Sequence, residues 1–115
     1  MSHPLDSILG PQAPFAVSLL DQLSALGIDT AYPIDHLCYR AASNAEYLAL
    51  KTELERAGTL LVEGMIGGRP IATYRYHQPV CTGNTRIACI ELAAPKKGRN
   101  HQSGLEHIEM VVPSL

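Results

Sequence analysis

The hydrophobic period changes sharply at Gly58, and that change limits the folds open to this chain. Between Ser43 and Gly58 the apolar residues Tyr47, Leu50 and Leu54 recur at helical spacing. Ser43 with Glu46 three residues on has the capping-box spacing that opens a helix, and Gly58 closes it. Beyond Gly58 the period is that of strands. TLLVEGMI runs into Gly67-Gly68, a pair that can take positive φ in a tight hairpin. PIATYRYHQPV returns, with Ala72, Tyr74 and Tyr76 on one face and Ile71, Thr73, Arg75 and His77 on the other. Thr82-Gly83-Asn84 then turns the chain into TRIACIELAAP. Ahead of the helix, Pro33 keeps the chain extended into DHLCYRAA, which reads as a strand. Residues 31–95 therefore read as a βαβββ module, a curved, half-open sheet with the helix on its convex face.

The flanks are simpler. Residues 1–12 hold two of the prolines and little periodicity, and read as an N-terminal arm in which His3 is mobile and solvated. From Pro14, Phe15, Leu19, Leu23 and Leu26 share one face of a helix that ends at Gly27. After the basic loop KKGRNHQSG, residues 105–113 (LEHIEMVVP) form one further strand. The expectation is an α+β fold in a single domain, residues 13–115, with an N-terminal helix and one extra C-terminal strand.

Composition narrows the function. Nine Lys plus Arg against eleven Asp plus Glu give a net charge of −2, so there is no basic excess to attract nucleic acid or an anionic membrane. The apolar runs fall short of the roughly 20 residues of a spanning helix. The N-terminus has no cationic start or long apolar stretch of a signal peptide, so a cytoplasmic protein is expected. Three cysteines, Cys38, Cys81 and Cys89, without a CxxC pair, argue against a disulfide framework or a zinc knot and for packing roles.

Five histidines raise the question of a metal. His3, His77 and His101 read as tail, strand-edge and loop residues. His36 and His107 sit inside strands, each directly after an acid, in Asp35-His36 and Glu106-His107. Strand alternation gives His36 a face shared with Cys38 and Arg40, and gives His107 a face shared with Leu105, Glu109 and Val111. Glu91 aligns with Cys89 and Ile87, opposite Ala88, Ile90 and Leu92. A carboxylate late in so apolar a strand is costly to bury unless paired or bound to metal. Two imidazoles with one or two carboxylates suit a divalent ion such as Zn, Ni, Mn, Fe or Co. In the competing structural reading, Glu91 pairs with Arg40 or Arg75 and the histidines bond backbone groups.

DHLCYR, EGMIGGRPIATYRYHQPV, IACIELAAPKKG and GLEHIEMVVP, in this order and spacing, resemble the YecM family. The resemblance runs from about Phe15 to Pro113. It implies the vicinal oxygen chelate superfamily of glyoxalase I, bleomycin-resistance proteins and extradiol dioxygenases, which build a cupped sheet from two βαβββ modules around a metal. Carried over, the ligands fall on His36, Glu91 and His107. The implied function is a divalent-metal-dependent enzyme of isomerase or oxygenase type, chelating the vicinal oxygens of a small substrate, with Glu109 as the spare carboxylate that acts as base. Relative to that pattern the sequence stops one strand into a second module. A homodimer is therefore expected, in which residues 105–113 abut the partner and help form its cup. Two alternatives are a non-catalytic binding cup lined by Tyr74, Tyr76 and Met65, and a degenerate half-domain. A thiolate ligand from Cys38 or Cys89 would favour zinc, and the expectation is against one.

Overall fold

The computed structural model describes residues 3–27, 34–82, 85–96 and 103–110, with residues 107–110 described by their backbone. Its elements are helices α1 (Asp6–Leu9), α2 (Gln12–Ala25) and α3 (Asn44–Ala57) and strands β1 (Ile34–Arg40), β2 (Gly58–Ile66), β3 (Arg69–Thr82), β4 (Thr85–Ala93) and β5 (Gly104–Met110). They form one mixed α+β unit, its five-stranded sheet ordered β2-β3-β4-β1-β5. β1 runs parallel to β4 and antiparallel to β5, while β2, β3 and β4 are antiparallel neighbours. This is the expected βαβββ order with β5 added beside β1. Residues 111–113, expected to continue the last strand, lie outside the described residues.

Local chemistry accounts for the module's corners. The Ser43 hydroxyl accepts from the Glu46 N–H at 3.1 Å, and the Glu46 carboxylate reaches back to the Ala42 N–H at 2.6 Å. Gly67 and Gly68 both take positive φ, 61° and 80°, as a two-residue hairpin requires. Gly58 is a glycine for another reason. Its backbone is extended, and a Cβ there would lie 2.7 Å from the Arg75 carbonyl oxygen of β3.

The helices share one face of the sheet. Tyr47, Leu50 and Leu54 of α3 join Leu37 and Tyr39 of β1, Ala72, Tyr74 and Tyr76 of β3, and Ile90 and Leu92 of β4 in a single core, which Leu5, Leu9 and Ala16 extend. Tyr74 and Tyr76 are therefore core residues, 1% and 4% exposed, and the expected cup lining by these two tyrosines does not hold. Ile87 also belongs to this core, paired with the buried Val80 beyond the register shift in β3 between Arg75 and Val80. Edge strand β2 leaves Val62, Met65 and Ile66 exposed. No helix among the described residues is long and apolar enough to cross a membrane.

His3 is buried rather than solvated. Its Nδ1 accepts the Leu5 N–H (3.1 Å), so Nε2 carries the proton and donates to the Gln78 carbonyl. Gln12 donates from Nε2 to Asp6 (3.0 Å) and accepts from the Tyr76 hydroxyl, and the His3 ring meets Tyr76 edge-on at 4.9 Å. Burial pushes the Asp6 carboxyl up, but hydrogen bonds from His3 and Gln12 outweigh it and hold the group below its usual range. The stabilisation is therefore complete above the ordinary carboxylate range and fades as pH falls through the lowered pKa.

Urea denaturation of three variants checks these packing assignments. Gly58→Ala should lose about 1–3 kcal/mol, since backbone must move to admit the methyl. Gly64→Ala in the same strand, with nothing within 4 Å of its Cβ, should change stability by less than about 0.5 kcal/mol. Gln12→Leu should cost about 1–3 kcal/mol by stranding the Tyr76 hydroxyl.

Candidate metal centre

β1 presents alternate residues to the two faces of the sheet. Leu37 and Tyr39 enter the helix-side core, while His36, Cys38 and Arg40 occupy the other face. β4 does the same with Ile90 and Leu92 against Cys89 and Glu91. The parallel register sets His36 beside Cys89 and Cys38 beside Glu91. Across β5 the register sets Cys38 opposite His107 and His36 opposite Glu109. All four residues expected from the sequence, His36, Glu91, His107 and Glu109, thus belong to neighbouring register positions on β4, β1 and β5. The side chains of His107 and Glu109 lie outside the described residues.

Among the described side chains, His36, Cys38 and Glu91 converge, their donor atoms all within 4.8 Å of one another. His36 Nε2 stands 3.3 Å from Glu91 Oε2, and the Cys38 thiol approaches Glu91 Oε1 at 3.9 Å. The other ring nitrogen, Nδ1, meets Asp35 Oδ2 at 2.8 Å. An ionised Asp35 can only accept, so in a neutral ring the proton sits on Nδ1 and the Nε2 lone pair faces Glu91. Two acceptors then face each other across 3.3 Å. Such a gap needs a proton or a cation to close it. Cys38 is buried, and His36 and Glu91 are partly so.

The competing ion pair between Glu91 and Arg40 is not formed. Arg40 instead takes Glu106, with Nε 3.0 Å from Oε1. β5 makes this possible by a register shift. Cys38 pairs with His107 and Tyr39 with Leu105, so Glu106 is the extra residue of a bulge. Leu105, expected to share a face with His107, packs on the helix-side core instead. Cys89 stands beside His36 in the register, but burial and the nearby Asp35 carboxylate push its thiol up and favour the protonated form. His77, expected at a strand end, lies inside β3 instead, exposed and with Nε2 3.4 Å from the Thr59 hydroxyl. His101 lies outside the described residues. Cys38 and Asp35 are the members of the cluster that the sequence left aside. Their signal was available in the i, i+2 spacing of Cys38 from His36 and in the acid directly before His36.

The family model described as YecM protein matches residues 5–115. The chain belongs to the YecM family. It is 37% identical to Protein YecM of Escherichia coli (strain K12) over 102 residues, which are 87% of this chain and 54% of that protein. An uncharacterized protein of Haemophilus influenzae is 34% identical over 84 residues, 73% of this chain and 44% of that relative. The chain thus spans about half the length of these curated relatives. A solved structure described as structural genomics protein EC4020 superposes with a TM-score of 0.82 at 32% identity, covering 99% of this chain and 66% of that one.

Side chains held for a site differ from those held for the core in what their loss costs. Leu37→Ala, at a fully buried position, should lose about 2–5 kcal/mol. His36→Ala, one residue away on the opposite face, should lose less than about 1 kcal/mol in the metal-free protein. Equal losses in urea denaturation would make His36 a core residue.

Proposed function

We propose that this chain holds a divalent metal ion between His36 and Glu91 and uses it to chelate the vicinal oxygens of a small substrate, as an enzyme of isomerase or oxygenase type related to the vicinal oxygen chelate proteins. The observation that carries the reading is the approach of His36 Nε2 to Glu91 Oε2, 3.3 Å apart, on the sheet face opposite the helix-side core. Imidazole and carboxylate together fit Zn, Ni, Mn, Fe or Co. When bound, the ion supplies Lewis-acid polarisation of a substrate oxygen. The residues do the rest. Asp35 fixes the ring orientation and tautomer of His36, in the manner of carboxylates behind metal-binding histidines. His107 and Glu109, opposite Cys38 and His36 in the register, are proposed as third ligand and general base. Self-association of two copies through residues 105–113 is proposed on the sequence pattern, and a monodisperse monomer by light scattering at micromolar concentration would contradict it.

A non-catalytic binding cup and a degenerate half-domain remain the alternatives, and of the residues expected to line the cup Tyr74 and Tyr76 lie in the core while Met65 is exposed. Titration calorimetry on protein purified without chelator tests the main reading. One ion per chain is expected, with stoichiometric binding abolished in Glu91→Gln and in His36→Ala. Asp35→Asn should weaken binding by about 10–100-fold. Unchanged affinity in Glu91→Gln would reject the site.

A further inference from the structure

The sequence argues for a hard donor set without sulfur, whereas the geometry places a sulfur inside it. We infer that the Cys38 thiolate is a ligand of the ion held by His36 and Glu91, making this a zinc-type His–Cys–Glu centre. The inference rests on the metal reading above.

Position comes first. Cys38 lies two residues after His36 on the same face of β1, and the parallel register of β1 and β4 sets it directly beside Glu91. Both placements are fixed by backbone pairing rather than by side-chain flexibility. Distance comes second. Metal bonds of about 2.0–2.2 Å meeting at a tetrahedral angle put a nitrogen and an oxygen ligand about 3.4 Å apart, and a sulfur bond of about 2.3 Å widens the sulfur–oxygen edge to about 3.6 Å. The observed separations are 3.3 Å for His36 Nε2 to Glu91 Oε2 and 3.9 Å for Cys38 Sγ to Glu91 Oε1. These two distances end on different oxygens of the Glu91 carboxylate, and the donor atoms lie within 4.8 Å of one another, so shifts of about 1 Å would bring them onto one face of a zinc tetrahedron.

Charge comes third. One thiolate and one carboxylate neutralise a divalent cation, and His36 adds a neutral donor. A neutral cluster suits a site in which Cys38 is only 4% exposed, where an uncompensated charge would be costly. The step balances simply: the S–H bond that now points at Glu91 breaks, its proton leaves to solvent, and a sulfur–metal bond forms. Sulfur, imidazole and carboxylate together favour zinc over manganese or magnesium by ligand softness. Of the three cysteines, Cys38 alone contributes its sulfur to the His/Cys/Glu cluster among the described residues.

The test uses the full chain carrying Cys81→Ser and Cys89→Ser, which leaves Cys38 as the one thiol. Loaded with zinc, it should show a sulfur scatterer at about 2.3 Å in X-ray absorption fine structure. Loaded with cobalt, it should show the near-ultraviolet thiolate-to-cobalt band. Adding Cys38→Ser should remove both signals. Metal bound with only nitrogen and oxygen scatterers would overturn the Cys38 assignment and leave the His36–Glu91 site standing. Absence of bound metal would overturn both.

Discussion

The register of β1 against β4 is the constraint on which the site depends. Leu37, Tyr39, Ile90 and Leu92 are all committed to the helix-side core, and a slip of one residue would turn them to the opposite face while sending His36, Cys38 and Glu91 toward the helices. The apolar set therefore fixes the polar set. Hydrophobic burial on one face holds an imidazole, a thiol and a carboxylate within 4.8 Å on the other, although Cys38 and Glu91 are 53 positions apart in the chain. The crossover through α3 is what permits β1 to run parallel to β4, and its end is set where Gly58 lets β2 close against the Arg75 backbone.

Much of this was legible because local signals and packing agree. The Ser43–Glu46 spacing, the Gly67-Gly68 turn and the strand alternation of DHLCYR each describe their own neighbourhood, and each formed as read. The face that His36 and Glu91 share was legible through alternation, since a histidine and a carboxylate opposite core residues face away from the helices, whereas their candidacy as ligands drew on the family resemblance as well. What failed needed information from far along the chain. The burial of His3 depends on Gln78 and Tyr76, and neither contact leaves a trace in residues 1–12. Tyr74 and Tyr76 were assigned a common face correctly, but the sequence could not say that this face is the one the helices cover. The bulge at Glu106 likewise shows no local turn signal, yet it decides that Leu105 joins the core and that Glu106 meets Arg40.

The same logic explains why Cys38 was set aside. Judged alone, a small thiol in an apolar strand is packing material. Its chemistry depends on which strand lies beside β1, and periodicity does not reveal strand order. Once β4 is the neighbour, Cys38 and Glu91 are side by side, and Asp35 behind His36 completes an arrangement of donor, second donor and orienting carboxylate.

The central claim is that sheet register builds a metal site from β1 and β4. Anomalous diffraction at the zinc edge from crystals of the zinc-loaded chain tests it most directly. The account predicts one strong peak at bonding distance, about 2.0–2.3 Å, from His36 Nε2, a Glu91 carboxylate oxygen and the Cys38 sulfur. A strongest peak at His3 or His77, with none between β1 and β4, would contradict it.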